Sequence, residues 1–136
     1  MTELPNVSVL VRTWFGDDAA WDALLSEVRT PSADGFLAGV TPVDDPVFAG
    51  LGVDALTAKQ QTGPLVSFLA DEATLTRAEH PILAVWVHGA GARHEHPPFR
   101  VVPAALWSVE NNINLGNMDW SDFTAAAGED GVFRGF

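Results

Sequence analysis

Three acidic pairs, Asp17-Asp18, Asp44-Asp45 and Asp71-Glu72, recur with their first members 27 residues apart. Carboxylates grouped in this way can do three kinds of work. They can hold a hard cation such as Mg²⁺, which takes oxygen ligands and keeps several waters beside one or two protein carboxylates. They can stand in for nucleic-acid phosphates and meet the Arg and Lys side chains of a basic protein, the logic by which inhibitors of toxic nucleases work. They can also simply sit at helix N-termini, where each acid stabilises the helix dipole by about 0.3–1 kcal/mol. The dipole explains Asp17-Asp18 well. It explains Asp44-Asp45 less well, because Val53, where the next helical pattern starts, lies eight residues beyond Asp45. It barely explains Asp71-Glu72.

The elements that must position these pairs follow from periodicity. Apolar stretches at residues 7–14, 36–41 and 65–70 precede the three pairs and read as strands. Residues 17–29 read as a helix, with Trp21, Leu24, Leu25 and Val28 on one face, Asp17 or Asp18 at its start and Pro31 beyond its stop. Residues 53–61 form a weaker helix closed by Gly63-Pro64. A βαβαβ unit with parallel strands brings all three strand carboxyl ends, and so all three acidic pairs, to one edge of the sheet. Open α/β sheets bind their ligands at such an edge.

Further along, Pro42 demotes the second strand to an edge or an early ending. Thr76 to Glu79 has capping-box spacing, cut to one turn by Pro81. Residues 82–87 make a fourth strand and 99–102 a fifth, antiparallel to the fourth, with a long polar loop from Gly89 to Pro98 between them. Pro103 suits a first helical position, Gly116 ends that helix, and a last short helix carries Trp120, Phe123 and Ala127, capped by Asp119 or Asn117. The tail is aromatic to its end, so Phe133 and Phe136 are expected to pack on the core or on a partner. The fold class is therefore α/β: a single domain, residues 1–136, with a mixed sheet of about five strands, a βαβαβ N-terminal part and C-terminal helices packed on the sheet.

Composition narrows the function classes. Eighteen acids against seven bases give a net charge of −11, a field that repels nucleic acid and anionic lipid and speeds encounter with a basic protein. Zero Cys excludes disulfides, thiolate metal sites and a Cys nucleophile. No run approaches the length of a membrane span, and the start, Met-Thr-Glu-Leu-Pro, lacks a basic region and an apolar signal core, so a cytoplasmic protein is expected.

Other constellations carry less. His88, His94 and His96, with Glu95 or His80 as a fourth ligand, invite zinc, but a loop rich in Gly and Pro reads better as solvated histidines. The segment Val87-His-Gly-Ala-Gly91 is like the oxyanion loop of esterases, without the G-x-S-x-G elbow that chemistry requires. Asn6-Val-Ser8 matches a glycosylation acceptor, which means little in a cytoplasmic protein. Glu110-Asn-Asn-Ile-Asn114 is unusually polar for a helix and reads as structural, either fraying toward the Gly116 stop or a hydrogen-bonding face against the loop after it. Arg12 and Arg100 are expected to pair with buried or edge acids.

The segments Leu10–Thr13, Asp18–Trp21, Val43–Pro46, Ala105–Asn112, Asn117–Asp119 and Gly131–Phe136 together resemble a mainly actinobacterial family of small acidic proteins known only as a domain of unknown function. The resemblance covers nearly the whole chain and is most specific from Ala105 onward. It implies one intact domain from a bacterial cytoplasm and brings no catalytic residues.

The function expected from the sequence is non-catalytic binding of a basic protein, most concretely as an immunity or antitoxin-type inhibitor. Asp17, Asp18, Asp44, Asp45, Asp71 and Glu72 are the contact acids, and Trp14 or Phe15 is an aromatic anchor beside them. This reading needs no cofactor, no resident metal, no nucleic acid and no membrane, and leaves the oligomeric state open. The first alternative is a Mg-dependent enzyme using Asp17, Asp44 and Asp71, although Lys59 is the only Lys and no glycine-rich phosphate loop occurs. The second is a structural or homo-oligomeric subunit using the aromatic C-terminus.

Overall fold

The computed structural model describes residues 3–89 and 95–136. Its strands are β1 (Val9–Arg12), β2 (Thr41–Val43), β3 (Val66–Ala70), β4 (Ile82–Trp86), β5 (Phe99–Val101) and β6 (Val132–Phe133). Its α-helices are α1 (Asp18–Val28), α2 (Val53–Lys59), α3 (Glu72–Thr76), α4 (Leu106–Asn114) and α5 (Trp120–Ala126). Short 3₁₀ turns at Pro46–Phe48 and Pro103–Ala105 lead toward α2 and α4. The result is the expected single α/β domain with a mixed sheet, which among the described residues has six strands.

The strand order is β2-β1-β3-β4-β5-β6. Strands β2 and β3 flank β1 and run parallel to it. Strand β4 is antiparallel to both β3 and β5, and β6 is parallel to β5. Only β4 is therefore reversed. The chain moves outward from β1 to β2 and then returns past β1 to β3, so the direction of winding reverses between β1 and β3.

Both faces of the sheet are covered, which is why the strands read as continuous apolar runs rather than alternating ones. One core joins Leu10, Phe68, Ala84 and Val101 to Trp21 and Leu24 of α1, Leu106 and Val109 of α4, and Trp120 and Phe123 of α5. The other joins Val9, Val11, Leu69 and Val85 to Phe48 and to Leu56 of α2. The N-terminal βαβαβ part and the C-terminal helices stand as expected, as does the antiparallel pairing of the fourth and fifth strands.

Three elements depart from the sequence expectation. The second strand lies at 41–43 rather than 36–41. Residues Phe36 to Gly39 instead cross α4: the Phe36 ring stacks on Trp107 at 4.6 Å, and the Gly39 N–H donates to Glu110. The one-turn helix comes earlier than Thr76–Glu79, at 72–76, because Asp71 and Thr74 make the capping box, each side chain accepting from the other residue's backbone N–H. A sixth strand forms from the tail, placing Phe133 in the core, fully buried. Phe136 is exposed but lies against Phe123 and Phe133, with ring centroids 5.4 and 4.9 Å away.

The polar run on α4 is structural, as its composition suggests. Asn114 accepts from the Leu65 N–H at 3.0 Å and donates to Ser8 Oγ at 2.8 Å and to Glu110 at 3.0 Å. It fastens the helix to the amino ends of β1 and β3, opposite the acidic pairs.

Candidate functional site

At the other edge the three acidic pairs follow the carboxyl ends of β1, β2 and β3. The register sets Val11 against Val43 and Arg12 against Ala70, so the chain segments leading to Asp44 and Asp71 leave the sheet on either side of β1. Two further bonds draw the loops together: the Thr13 N–H donates to the Ala70 carbonyl at 2.9 Å, and the Gly50 N–H to the Thr13 carbonyl at 2.9 Å.

Arg12 is the hub. Only 3% of its side chain is exposed, yet it sits at a strand end where its guanidinium can reach outward. Nη2 donates to Asp18 at 2.7 Å, Nη1 to Asp44 at 3.3 Å, and Nε to the Trp14 carbonyl at 3.0 Å. The Phe15 ring covers the guanidinium with its centroid 4.5 Å away, and the Trp21 ring lies at 5.8 Å. A cation held between aromatic faces in this way is favourable. One buried cation thus joins the first two acidic pairs while leaving the Asp18 side chain 88% exposed and that of Asp44 48% exposed.

The other members of the first two pairs hold backbone. Asp17 caps α1, accepting from the Ala20 N–H at 3.1 Å. Asp45 caps the Pro46–Phe48 turn, accepting from the Val47 N–H at 3.0 Å. Both positions are N-caps, where a short oxygen-bearing side chain satisfies an otherwise unpaired donor.

The third pair is built differently. Asp71 forms a two-pronged pair with Arg100, each bond 2.8 Å, and also accepts from the Thr74 N–H at 3.1 Å. Partial burial raises its pKa. The Arg100 hydrogen bonds, the Thr74 N–H, the Arg100 charge and the Thr74 hydroxyl more than offset that, so the carboxyl titrates below its ordinary value. Glu72, beside it in the first turn of α3, is exposed.

The two aromatic anchor candidates are half-buried. Phe15 is engaged with Arg12, and Trp14 packs against the core with Gly16 folded over its ring. A Cβ at Gly16 would lie 2.2 Å from Trp14 Cζ2, so the turn requires glycine. The large apolar side chain that stands free near the acids is Val47, 62% exposed and two residues beyond Asp45. Nothing in the sequence distinguishes Val47 from a core valine, because its exposure depends on the 3₁₀ turn that Asp45 caps.

Among the described residues, no group of three or more His, Cys, Asp or Glu side chains is placed to hold a metal ion. The histidines are dispersed: His80 Nδ1 lies 2.9 Å from Glu27, His96 stacks on Trp86 at 3.8 Å, and His88 is exposed. His94 and much of the loop from Gly89 to Pro98 lie outside the described residues, as does part of the segment Val87 to Gly91. Arg12 and Arg100 take the pairing roles their positions suggested. No helix among the described residues is long and apolar enough to cross a membrane.

An α/β domain whose acidic pairs follow the carboxyl ends of β1, β2 and β3 is the class that fold and site define. The chain belongs to the family described as Domain of unknown function (DUF6924), which matches it over residues 7–136. No curated protein is similar enough to match it.

Proposed function

We propose that the carboxyl edge docks a basic protein, and that the most concrete form of this role is an immunity or antitoxin-type inhibitor acting in a bacterial cytoplasm. The observation that carries the reading is the Arg12 hub: a buried, aromatically clamped cation that fixes Asp18 and Asp44 while their carboxylates stay open to solvent. Acids held in place need little ordering when a partner's Arg or Lys arrives, so more of the interaction appears as affinity. Asp17, Asp45 and Glu72 extend the negative surface, and Val47 supplies apolar contact beside it. A net charge of −11 steers a basic partner toward the protein from a distance.

The same geometry weighs against the magnesium reading. Arg12 already occupies the point between Asp18 and Asp44, and both oxygens of Asp71 are directed at Arg100.

The test is charge reversal with a matched control. Basic proteins retained from a bacterial extract at low salt are compared for the wild type, Asp44→Lys/Asp45→Lys, and Asp34→Lys/Glu129→Lys, which carries the same net charge. A partner kept by the wild type and the control but lost by the edge variant supports the reading. Equal loss from both variants reduces it to bulk charge and overturns it.

A further inference from the structure

An open cleft of about 470 Å³ lies beyond the acidic loops, against the segments that follow β5 and β6. Its lining includes Pro31, Ala78, Val102, Pro103 and Ala104. These come from the stop of α1, the loop after α3 and the approach to α4, three places far apart in sequence. The volume falls within the range of about 300–1,000 Å³ typical of small-ligand sites, and such sites pair an apolar floor with a few converging polar groups.

The polar groups here are unbalanced. Glu27 and Glu79 both line the cleft, and their side chains are 50% and 54% exposed. Arg134 lines it too, with its guanidinium paired to acids. Nε and Nη2 donate to Glu79 at 2.7 and 2.8 Å, and Nη2 also donates to Asp130 at 2.7 Å. Arg134 is thus flanked by two acids, and Glu27 faces the His80 ring nitrogen. The hydrogen bonds from Arg134 hold Glu79 and Asp130 below their ordinary pKa values, so both remain ionised well into acid. Glu79 and Arg134 offset each other, so the cleft combines apolar walls with one net negative charge, that of Glu27.

We propose that this cleft binds a small organic cation, an ammonium group on a compact apolar body, with the body against Pro103, Ala104 and Ala78 and the charge toward Glu27. The site is separate from the acidic edge and does not depend on the reading given to that edge. An apolar cation suits it because a hydrophobic body has walls to cover while its charge stays near the half-exposed Glu27 carboxylate, avoiding the cost of full desolvation. An anion would meet a guanidinium whose donors are already shared between two carboxylates.

Three probes of one shape separate these terms: 4-phenylbutylammonium, 4-phenylbutanol and 4-phenylbutyrate, titrated into ¹⁵N-labelled protein at physiological ionic strength. The expected result is saturable shifts at the Ser32, Ala78 and Ala104 amides with the ammonium, about tenfold tighter than with the alcohol, and none with the carboxylate. Glu27→Gln should bring the ammonium down to the alcohol's affinity. Ala104→Trp, at an exposed position, should block both while leaving the remaining amide spectrum in place. Asp44→Lys/Asp45→Lys should leave cleft binding unchanged, which separates this site from the acidic edge. Equal affinity for ammonium and alcohol, preference for the carboxylate, or ammonium shifts that survive Ala104→Trp would each overturn the proposal.

Discussion

Two arginines serve the carboxyl edge in opposite ways. Arg12 is almost wholly buried and reaches two well-exposed acids with one bond each. Arg100 is itself partly exposed and grips a single half-buried acid with two bonds. The first arrangement positions carboxylates and leaves them available, whereas the second neutralises one and turns it into structure. Of three acidic pairs that look alike in sequence, two therefore present charge and the third mainly ties α3 to β5. Glu72 is the part of that third pair left to face solvent.

The largest effect should come from breaking the Arg100 arrangement. Asp71→Ala removes an N-cap worth about 1 kcal/mol. It also removes charge-assisted hydrogen bonds worth about 1.5–3 kcal/mol. Chemical denaturation should show a loss of about 3 kcal/mol, while Asp71→Asn, which keeps a cap acceptor, should lose clearly less. A cost under about 0.5 kcal/mol for Asp71→Ala, the usual range for surface substitutions, would erase the distinction between the two arginines.

Next is Arg12→Met, which keeps most of the apolar stem. It gives up the Trp14 carbonyl bond and the ring contacts but strands only hydrated acids, so about 1–2 kcal/mol is expected. The sharper readout is local: the loops carrying Asp18 and Asp44 should exchange amide hydrogens faster, while α3 does not.

A smaller and pH-dependent effect follows from Asp71. Its folded pKa lies below the ordinary 3.8. The pair's stabilisation is therefore complete above the unfolded value and is lost as pH falls through the lowered folded value. The acid limb of a stability-against-pH curve should become shallower in Asp71→Asn. Some slope should persist, because Glu79 and Asp130 are shifted in the same direction.

The smallest stability effect belongs to Asp18→Asn. The Asp18 side chain is 88% exposed, and Arg12 keeps Asp44, the Trp14 carbonyl and the Phe15 ring without it, so the cost should stay under about 1 kcal/mol and thermal unfolding should barely move. That insensitivity is what a docking residue should show, because its worth appears only with a partner present.

The contrast between the arginines was only half legible in the sequence. Strand, helix and strand lengths sufficed to bring three acidic pairs to one edge, and Arg12 and Arg100 could be expected to pair with acids. Which acid belonged to which arginine depended on register, and neighbouring strands align by contacts that no single segment encodes. The displaced second strand has a similar cause. Phe36 and Leu37 are apolar enough for a strand, but the backbone there is satisfied partly by side chains of α4, more than seventy residues away. The Glu110–Asn114 run announced a hydrogen-bonding face, but its side chains meet Gly39, Leu65 and Ser8 rather than the loop after it. Phe133 was expected to pack, yet a two-residue strand lies below what periodicity can detect. The cleft at Ala104 left no trace, since Pro31, Ala78 and Arg134 meet only in three dimensions. The tail's place in the sheet also changes how an oligomer should be tested. Removing residues 132–136 would delete a strand, so Phe136→Ala is the variant that probes an exposed tail contact.

The sheet's two outer strands carry a consequence for life at high concentration. Strand β2 has three residues and Pro42 in its middle, which offers no N–H to a neighbour. Strand β6 has only two and is followed at once by Arg134, pinned to Glu79 and Asp130. Neither margin gives a foreign chain a long ladder to extend, and short, proline-bearing or charged margins are how sheets avoid polymerising. Among the described residues the sheet thus presents little edge for a second chain to extend, which favours recognition through side chains over strand addition.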